Sequence, residues 1–285
     1  MKVLLTGANG QLGKCIQDRA PEEVELIALT RSELDIADQV SVMTVCEKIQ
    51  PDFIINAAAY TAVDKAESEP EAAFAINATG PENLALAAAK YNIPIIHIST
   101  DYVFDGTSTT PYTPQCKTNP KSVYGETKLA GEKAIQAITN KHIIIRTAWV
   151  FSEYGNNFVK TMLKLGAERD ELGIVADQTG CPTYAGDLAH YIFDLLACLN
   201  NSSSVIFGVY HYCGDKQVSW YEFAQAIFYV ACSKQLITKK PQLTKLTTLE
   251  YPTPAARPAF SVMKNTSKNA AYSDWQTSLD KMVII

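Results

Sequence analysis

The stretch SVYGETKLAGEK (122–133) places a tyrosine, Tyr124, and a lysine, Lys128, four residues apart within a helical pattern. At that spacing two side chains share a helix face, one turn apart. Carbonyl reduction by a nicotinamide needs such parts: a hydride goes to carbon, a proton goes to oxygen, and donors steady the developing oxyanion. A free phenol, with a pKa near ~10, exchanges its proton poorly at neutral pH. A neighbouring ammonium lowers that value by favouring the phenolate. Alone, the pair could equally be a surface feature of a helix. Just upstream, however, the apolar run IPIIHIST ends in the hydroxyls of Ser99 and Thr100. The carboxyl end of a buried strand is where open α/β sheets bind ligands, and a threonine there can hold a carbonyl in register.

A second feature sits at the start of the chain. The run KVLLT leads directly into TGANGQLG, with Gly7, Gly10 and Gly13, followed by a helical pattern. Such a turn lets backbone N–H groups approach a pyrophosphate at the positive end of a helix. The second apolar run ends in LTRSELD. In dinucleotide folds an acid at that point selects a ribose 2′-hydroxyl, and an arginine accommodates a 2′-phosphate. Here Thr30 and Arg31 come first and no acid precedes Glu33, which favours NADPH, with NADH as the alternative.

These residues need a scaffold, and the hydrophobic pattern supplies one. KVLLT, VELIAL, DFIIN, IPIIHIS and HIIIRT are short and apolar almost throughout, as expected of parallel strands covered on both faces. Amphipathic stretches such as EAAFAINATGPENLALAAAKY separate them. The alternation predicts an α/β fold: a doubly wound, Rossmann-type parallel sheet. The rhythm breaks after RTAWVFSEYGNNF. Helices are expected in NNFVKTMLKLGAERD, GDLAHYIFDLLACLN and SWYEFAQAIFYVACSK, the last capped by Ser219, with a strand in FGVYHYCG. The expected division is a dinucleotide-binding domain over 1–150 and a smaller, mixed α/β substrate domain over 151–285, with 185–215 returning to the first.

Composition narrows the functions. A net charge of −5 over 285 residues offers no basic footprint for nucleic acid. The seven cysteines form no C-x-x-C pair, so a disulfide framework or zinc site is not expected. The N-terminus lacks the apolar run of a signal peptide and no stretch is long enough to span a bilayer, so a cytoplasmic location is expected.

With these residues in place, the chain resembles the extended short-chain dehydrogenase/reductase superfamily. Within it, the blocks NAAAYTAVDKAESEP, STDYVFDG, YGETKLAGE, RTAWVF, DQTGCPT and YPTPAARPAFS are similar to the dTDP-4-dehydrorhamnose reductases. The resemblance implies reduction of the C4 ketone of dTDP-4-dehydro-β-L-rhamnose by NADPH or NADH, the last step of dTDP-L-rhamnose biosynthesis. It assigns Tyr124 as proton donor, Lys128 as the group that lowers its pKa and binds the nicotinamide ribose, and Thr100 as the partner of the ketone oxygen. Gly10, Gln11 and Leu12 would line the pyrophosphate. Thr30, Asp35 and Ile36 would flank the adenosine, and Ala59, Tyr60 and Thr61 would lie along the cofactor. Asp101, Tyr102 and Trp149 match positions that contact the sugar nucleotide, and Arg257 is the candidate for its diphosphate. Some members bind magnesium through glutamates, one of them early in the first helix. Cys15 stands there in this chain, so no such metal, nor a dimer built on it, is expected. The expected partners are a dTDP-sugar substrate and, as an assembly, a homodimer.

Other features read more plainly. His97, His142 and His211 lie in apolar runs and read as satisfied core histidines. The acids in AVDKAESEPEAA read as a charged helix start, and Trp220 and Phe223 as core. Asp177, Gln178 and Thr183 are candidates for the mouth of the site. Two rivals stay open: another nucleotide-sugar epimerase or dehydratase, and a non-catalytic cofactor-binding subunit like the regulatory β subunit of methionine adenosyltransferase.

Overall fold

A computed structural model describes residues 1–201, 206–266 and 273–283. Its centre is a six-stranded parallel sheet of β1 (Lys2–Thr6), β2 (Glu25–Leu29), β3 (Phe53–Asn56), β4 (Ile95–Thr100), β5 (His142–Thr147) and β10 (Gly208–His211). The strand order is β2-β1-β3-β4-β5-β10. Side chains alternate across a strand, and here both faces are covered. Val3, Leu5, Ile55, Ile96, Ile143 and Ile145 therefore join one core with α1 (Gln11–Asp18) and α8 (Ala185–Asn200). Leu4, Ile54, Ile95 and Ile144 face the other core, under α2 (Gln39–Ile49), α5 (Gly80–Tyr91) and α6 (Val123–Ile138). The doubly wound α/β reading holds. The strand in FGVYHYCG pairs in parallel with β5, through Tyr210 opposite Ile145 and His211 opposite Arg146.

Between β3 and α5 lie α3 (Val63–Ala66), α4 (Pro70–Phe74) and a π-helical turn (Ala75–Thr79). The π turn carries the fully buried Asn77. Asn77 Oδ1 accepts from Tyr60 N at 2.8 Å, while its amide donates to Tyr60 O at 3.1 Å and to Thr127 Oγ1 at 3.2 Å. One side chain thus ties the loop after β3 to α6.

The remaining elements are β6 (Val150–Phe151), α7 (Phe158–Glu168), β7 (Glu171–Val175), β8 (Thr179–Gly180), β9 (Thr183–Tyr184), β11 (Val218–Ser219), α9 (Trp220–Ser233), β12 (Gln242–Leu246) and α10 (Trp275–Met282). They enclose a separate core in which Phe151, Val159, Phe223, Ile227, Phe228 and Trp275 are buried. Ser219 caps α9 through a reciprocal capping box with Glu222. Residues 247–261 run back from β12 to the sheet. Thr248 bonds Asp177, Ala255 N donates to Asp64, Phe260 N donates to Gly106 O, and Ser261 N donates to Thr179 O. Among the described residues no helix is long and apolar enough to cross a membrane.

Candidate functional site

A cleft of about 830 Å³ opens at the carboxyl ends of β1, β3, β4 and β5. Strand order reverses beside β1, and a sheet of this kind opens a ligand crevice there. At one end of the cleft is the glycine turn. Gly7 has φ +76°, and a Cβ on it would lie 2.6 Å from Ala58 N; a Cβ on Gly13 would lie 2.2 Å from Gly7 O. Only glycine permits this approach of turn, strand and helix. The N-cap Gly10 offers no side-chain oxygen and the first turn of α1 holds no acid. Its N–H groups are therefore available to an anion, and the turn fits a dinucleotide pyrophosphate.

Of the residues expected on the cofactor side, Gly7, Gly10, Gln11, Leu12, Arg31, Asp35, Ile36, Ala59 and Thr61 line the cleft, and three do not. Gly13 is a packing glycine behind the turn. Thr30 is turned to Glu33, which accepts from its N–H at 2.8 Å and its hydroxyl at 2.7 Å. Tyr60 sends its hydroxyl to Glu69 at 2.7 Å. The turn after β2 leaves Arg31 exposed on the cleft while the first acid is spent on a local cap. Gln11 Oε1 accepts from Ser152 Oγ at 3.0 Å and Asn157 Nδ2 at 2.9 Å. This clasp brings Gly155 and Asn156 to the rim, residues that the sequence reading missed.

At the other end stand Thr100, Asp101, Tyr102, Tyr124, Lys128 and Trp149, all lining the cleft. Helix α6 carries Tyr124 and Lys128. Its start is fixed by Ser122 Oγ, which accepts from Gly125 N at 3.2 Å, and by Glu67, which accepts from Val123 N at 2.9 Å. It lies very close to its neighbours because Gly125 and Gly131 have no Cβ: one added there would sit 2.3 Å from Tyr102 O and 2.1 Å from Asn77 O. A buried ion pair between Glu132 and Arg146, 2.6 Å apart, locks the helix to β5. Loss of either partner would strand a buried charge, at a cost of about 3–5 kcal/mol.

Thr100 Oγ1 donates to Asp101 Oδ1 at 2.9 Å. Burial pushes the Asp101 carboxyl up to about 6, against hydrogen bonds from Ser261 and Thr100. Burial also raises the Tyr124 phenol; the Thr100 hydroxyl, through a hydrogen bond, pulls it back, and the charge of Asp101 adds to the rise. The Tyr102 and Tyr124 rings meet edge to face at 5.4 Å.

Lys128 follows Tyr124 by one turn of α6, and its side-chain end is held by β4. Its Nζ points along β4, donating to Ile98 O at 2.6 Å and lying 3.3 Å from His97 Nε2. Helical spacing sets which face a side chain occupies, not where a long flexible one ends. Burial lowers Lys128 to about 8, with Glu132 acting in the opposite sense.

Trp149 adopts φ +49°, a conformation that is costly for a bulky residue. Its indole packs on Gly180 and stacks face to face on Trp220, with ring centroids 3.5 Å apart. Trp220 therefore lines the cleft while also packing against the second core, and Phe223, one turn along α9, is fully buried in that core. Asp177, Gln178 and Thr183 do not line the cleft. Gln178 instead holds Trp220, accepting from its Nε1 at 3.2 Å, and Asp177 accepts from Thr248. Arg257 stops at the edge, where its Nη2 donates to Asp64 at 2.7 Å and its Nη1 to the Tyr102 hydroxyl at 3.4 Å. The acids of residues 62–73 are thus partly consumed by specific contacts. Burial pushes the Cys15 thiol up to about 12, which makes it a poor metal ligand. Among the described residues no group of three or more His, Cys, Asp or Glu could hold a metal ion.

The arrangement can hold a dinucleotide along the glycine turn and set a phenol and a threonine hydroxyl at the far end of the same cleft. Comparison with known proteins agrees with it. The family model described as RmlD substrate binding domain matches residues 1–284. A dTDP-4-dehydrorhamnose reductase of Aggregatibacter actinomycetemcomitans is 44% identical, over 98% of this chain and 97% of that protein. A crystal structure of a dTDP-4-dehydrorhamnose reductase from Clostridium acetobutylicum superposes with a TM-score of 0.92 at 41% identity, covering 99% of this chain and 98% of that one. Another, from Bacillus anthracis in complex with NADP, gives a TM-score of 0.91 at 38% identity, with the same coverage.

Proposed function

The chain belongs to the RmlD substrate binding domain family, and from that premise we propose that it reduces the C4 ketone of dTDP-4-dehydro-β-L-rhamnose with NADPH, giving dTDP-L-rhamnose. The observation that carries this reading is the convergence of Thr100, Tyr124 and Lys128 on one cleft with the glycine turn. Gly7, Gly10, Gln11 and Leu12 would hold the pyrophosphate of the coenzyme, Arg31 its 2′-phosphate, and Asp35 and Ile36 its adenosine. When bound, NADPH supplies the hydride.

The chain's own residues supply the proton and the frame. Tyr124 is the proton donor. Its raised pKa keeps the phenol protonated at neutral pH, the form that a reduction requires, and an alkoxide formed at C4 is basic enough to take that proton. Thr100 turns its hydroxyl from Asp101 to donate to the ketone oxygen. Asp101, Tyr102 and Trp149 shape the sugar end, and Arg257 reaches the diphosphate by leaving Asp64.

Residues 1–150 with 185–215 are read as the dinucleotide unit, supported by α8 packed on α1 and by β10 in the sheet, and the rest of 151–285 as the substrate unit. The free thiols suit a reducing cytoplasm. The reading includes a homodimer, which light scattering after gel filtration would test. The activity test mixes the protein with enzymatically prepared dTDP-4-dehydrorhamnose and follows the nicotinamide absorbance with NADPH and with NADH. Net NADPH consumption is expected, with Tyr124→Phe slower by ~10²–10⁴-fold, the usual worth of a positioned acid. Turnover without coenzyme consumption would point to an epimerase or dehydratase instead.

A further inference from the structure

The two indoles of the cleft stand in an arrangement that they would not choose alone. The Trp149 and Trp220 rings lie within 6° of parallel, with centroids 3.5 Å apart. Aromatic pairs left to themselves slide into an offset or turn edge to face, at centroid distances of ~4.5–7 Å. Trp149 also holds φ +49°, a conformation that persists only where the surroundings impose it. Both constraints come from one stretch, residues 177–180. A Cβ on Gly180 would lie 2.5 Å from Trp149 Cε2, so only glycine admits that indole so closely. Gln178, 4% exposed, accepts from Trp220 Nε1 at 3.2 Å and stops the second indole from sliding.

The polarity of that hydrogen bond is forced from both ends. An indole N–H can only donate, so the atom facing it is the Gln178 carbonyl oxygen. Gln178 Nε2 then points the other way, at Thr248 Oγ1, 3.1 Å off. The Thr248 hydroxyl has one proton, and it goes to Asp177 Oδ1 at 2.8 Å. The backbone N–H of Thr248 donates to the same carboxylate at 2.9 Å. Thr248 Oγ1 is left to accept. A flipped Gln178 amide would meet Trp220 donor to donor and Thr248 acceptor to acceptor.

We propose that Gln178 and Thr248 are positioning residues for the sugar end of the cleft, holding Trp220 against Trp149 so that the indole pair is set before the sugar nucleotide arrives. The inference rests on the reductase reading and deepens it, since it names what fixes the surface that meets the deoxyhexulose. The relay runs from Asp177 through Thr248 and Gln178 to Trp220, and none of its links is made to Thr100, Tyr124 or Lys128. It therefore acts on binding of the sugar and not on the chemical step. Its gain is preorganisation: an indole pair already locked loses little freedom when the ligand binds. Thr248 belongs to the same returning segment as Arg257, so the sugar end and the diphosphate end share one support.

The test sets Thr248→Val beside Thr248→Ser. Valine keeps the shape but removes the oxygen that fixes the Gln178 amide, whereas serine keeps that oxygen. Calorimetric titration with dTDP-L-rhamnose and with dTDP needs no turnover. Thr248→Val is expected to bind dTDP-L-rhamnose ~3–10-fold more weakly, about what one hydrogen bond holds in place, with dTDP unchanged. Thr248→Ser is expected to match the wild type. KM for the keto-sugar should rise by the same factor in Thr248→Val, with kcat within about twofold. In ¹H–¹⁵N spectra of the three indoles, the Trp220 N–H is expected to be hydrogen-bonded and slow to exchange in the wild type and in Thr248→Ser. In Thr248→Val it should shift and exchange faster, while the Trp275 N–H, which donates to Lys216 O, stays put. An equal loss for dTDP would assign the indoles to the nucleotide and overturn the proposal. Unchanged affinity in Thr248→Val, or a serine variant as weak as the valine one, would overturn it too. If Thr248→Val does not fold, Gln178→Met takes its place, and a freely exchanging Trp220 N–H in the wild type refutes the proposal without any variant. A protein that shows these losses but reduces no keto-sugar would sink the reductase reading and leave this inference standing. A wild type that binds no dTDP-L-rhamnose would sink both.

Discussion

Asp101 is the place where the site works against the fold, and Asp101→Asn should expose the conflict. The side chain is 2% exposed, and its Oδ2 has no hydrogen-bond partner. Its pKa rises from 3.8 in the unfolded chain to about 6 in the fold. The folded protein therefore holds this proton more tightly than the unfolded chain does. The stabilisation is complete below the unfolded value and is lost as pH rises through the folded one. At ~1.36 kcal/mol per unit the loss above that range is about 3 kcal/mol. Asparagine keeps the shape and an acceptor for Thr100 without the charge. The variant should thus be more stable than the wild type, with the gap widening by about 2 kcal/mol between about pH 4.5 and about pH 8. Urea unfolding of both proteins at both pH values measures that gap, and other titrating groups cancel from the difference. A gap independent of pH, or a variant weaker at pH 8 than at pH 4.5, would refute the reasoning. The anion persists because it sits beside Thr100 and Tyr124, where a stability cost is tolerated for function.

Two further outcomes are expected. Trp220→Ala removes the stack under Trp149, worth about 0.5–1.5 kcal/mol, so KM for the sugar nucleotide should rise ~2–13-fold with kcat nearly unchanged. Trp220→Phe should recover most of that loss, and steady-state kinetics on both variants checks it. Arg257→Ala breaks a half-exposed ion pair, so stability should fall by less than about 1 kcal/mol, whereas KM for the keto-sugar should climb at least ~10-fold if the guanidinium meets a diphosphate. Thermal unfolding read beside KM separates the two effects.

The chemistry-bearing residues were legible because their signals are local. Three glycines after an apolar strand leave few alternatives, and strands buried on both faces read as unbroken apolar runs. What stayed hidden depends on partners far away in sequence. FGVYHYCG reads as a strand, but nothing in its own residues says that it lies beside β5. Trp220 and Phe223 look alike at helical spacing, yet one faces the cleft and the other the core, because Trp149 adopts a backbone conformation that no composition announces. Strands as short as β6, β8, β9 and β11 carry too few residues to show a period. The direction of Lys128 could not be read either, since it is set by His97 and the Ile98 carbonyl, both on β4.

The late arrival of β10 has a consequence for how the protein is made. Five strands of the central sheet are synthesised by Thr147, but the sixth follows only after the entire run through β9 and α8. Until His211 has left the ribosome, β5 is an open edge whose unpaired amides can recruit a foreign strand. The central sheet is therefore incomplete until β10 is made. A nascent chain halted or cut before Gly208 is accordingly expected to need a chaperone, or to aggregate, even though it carries the glycine turn, Thr100, Tyr124 and Lys128.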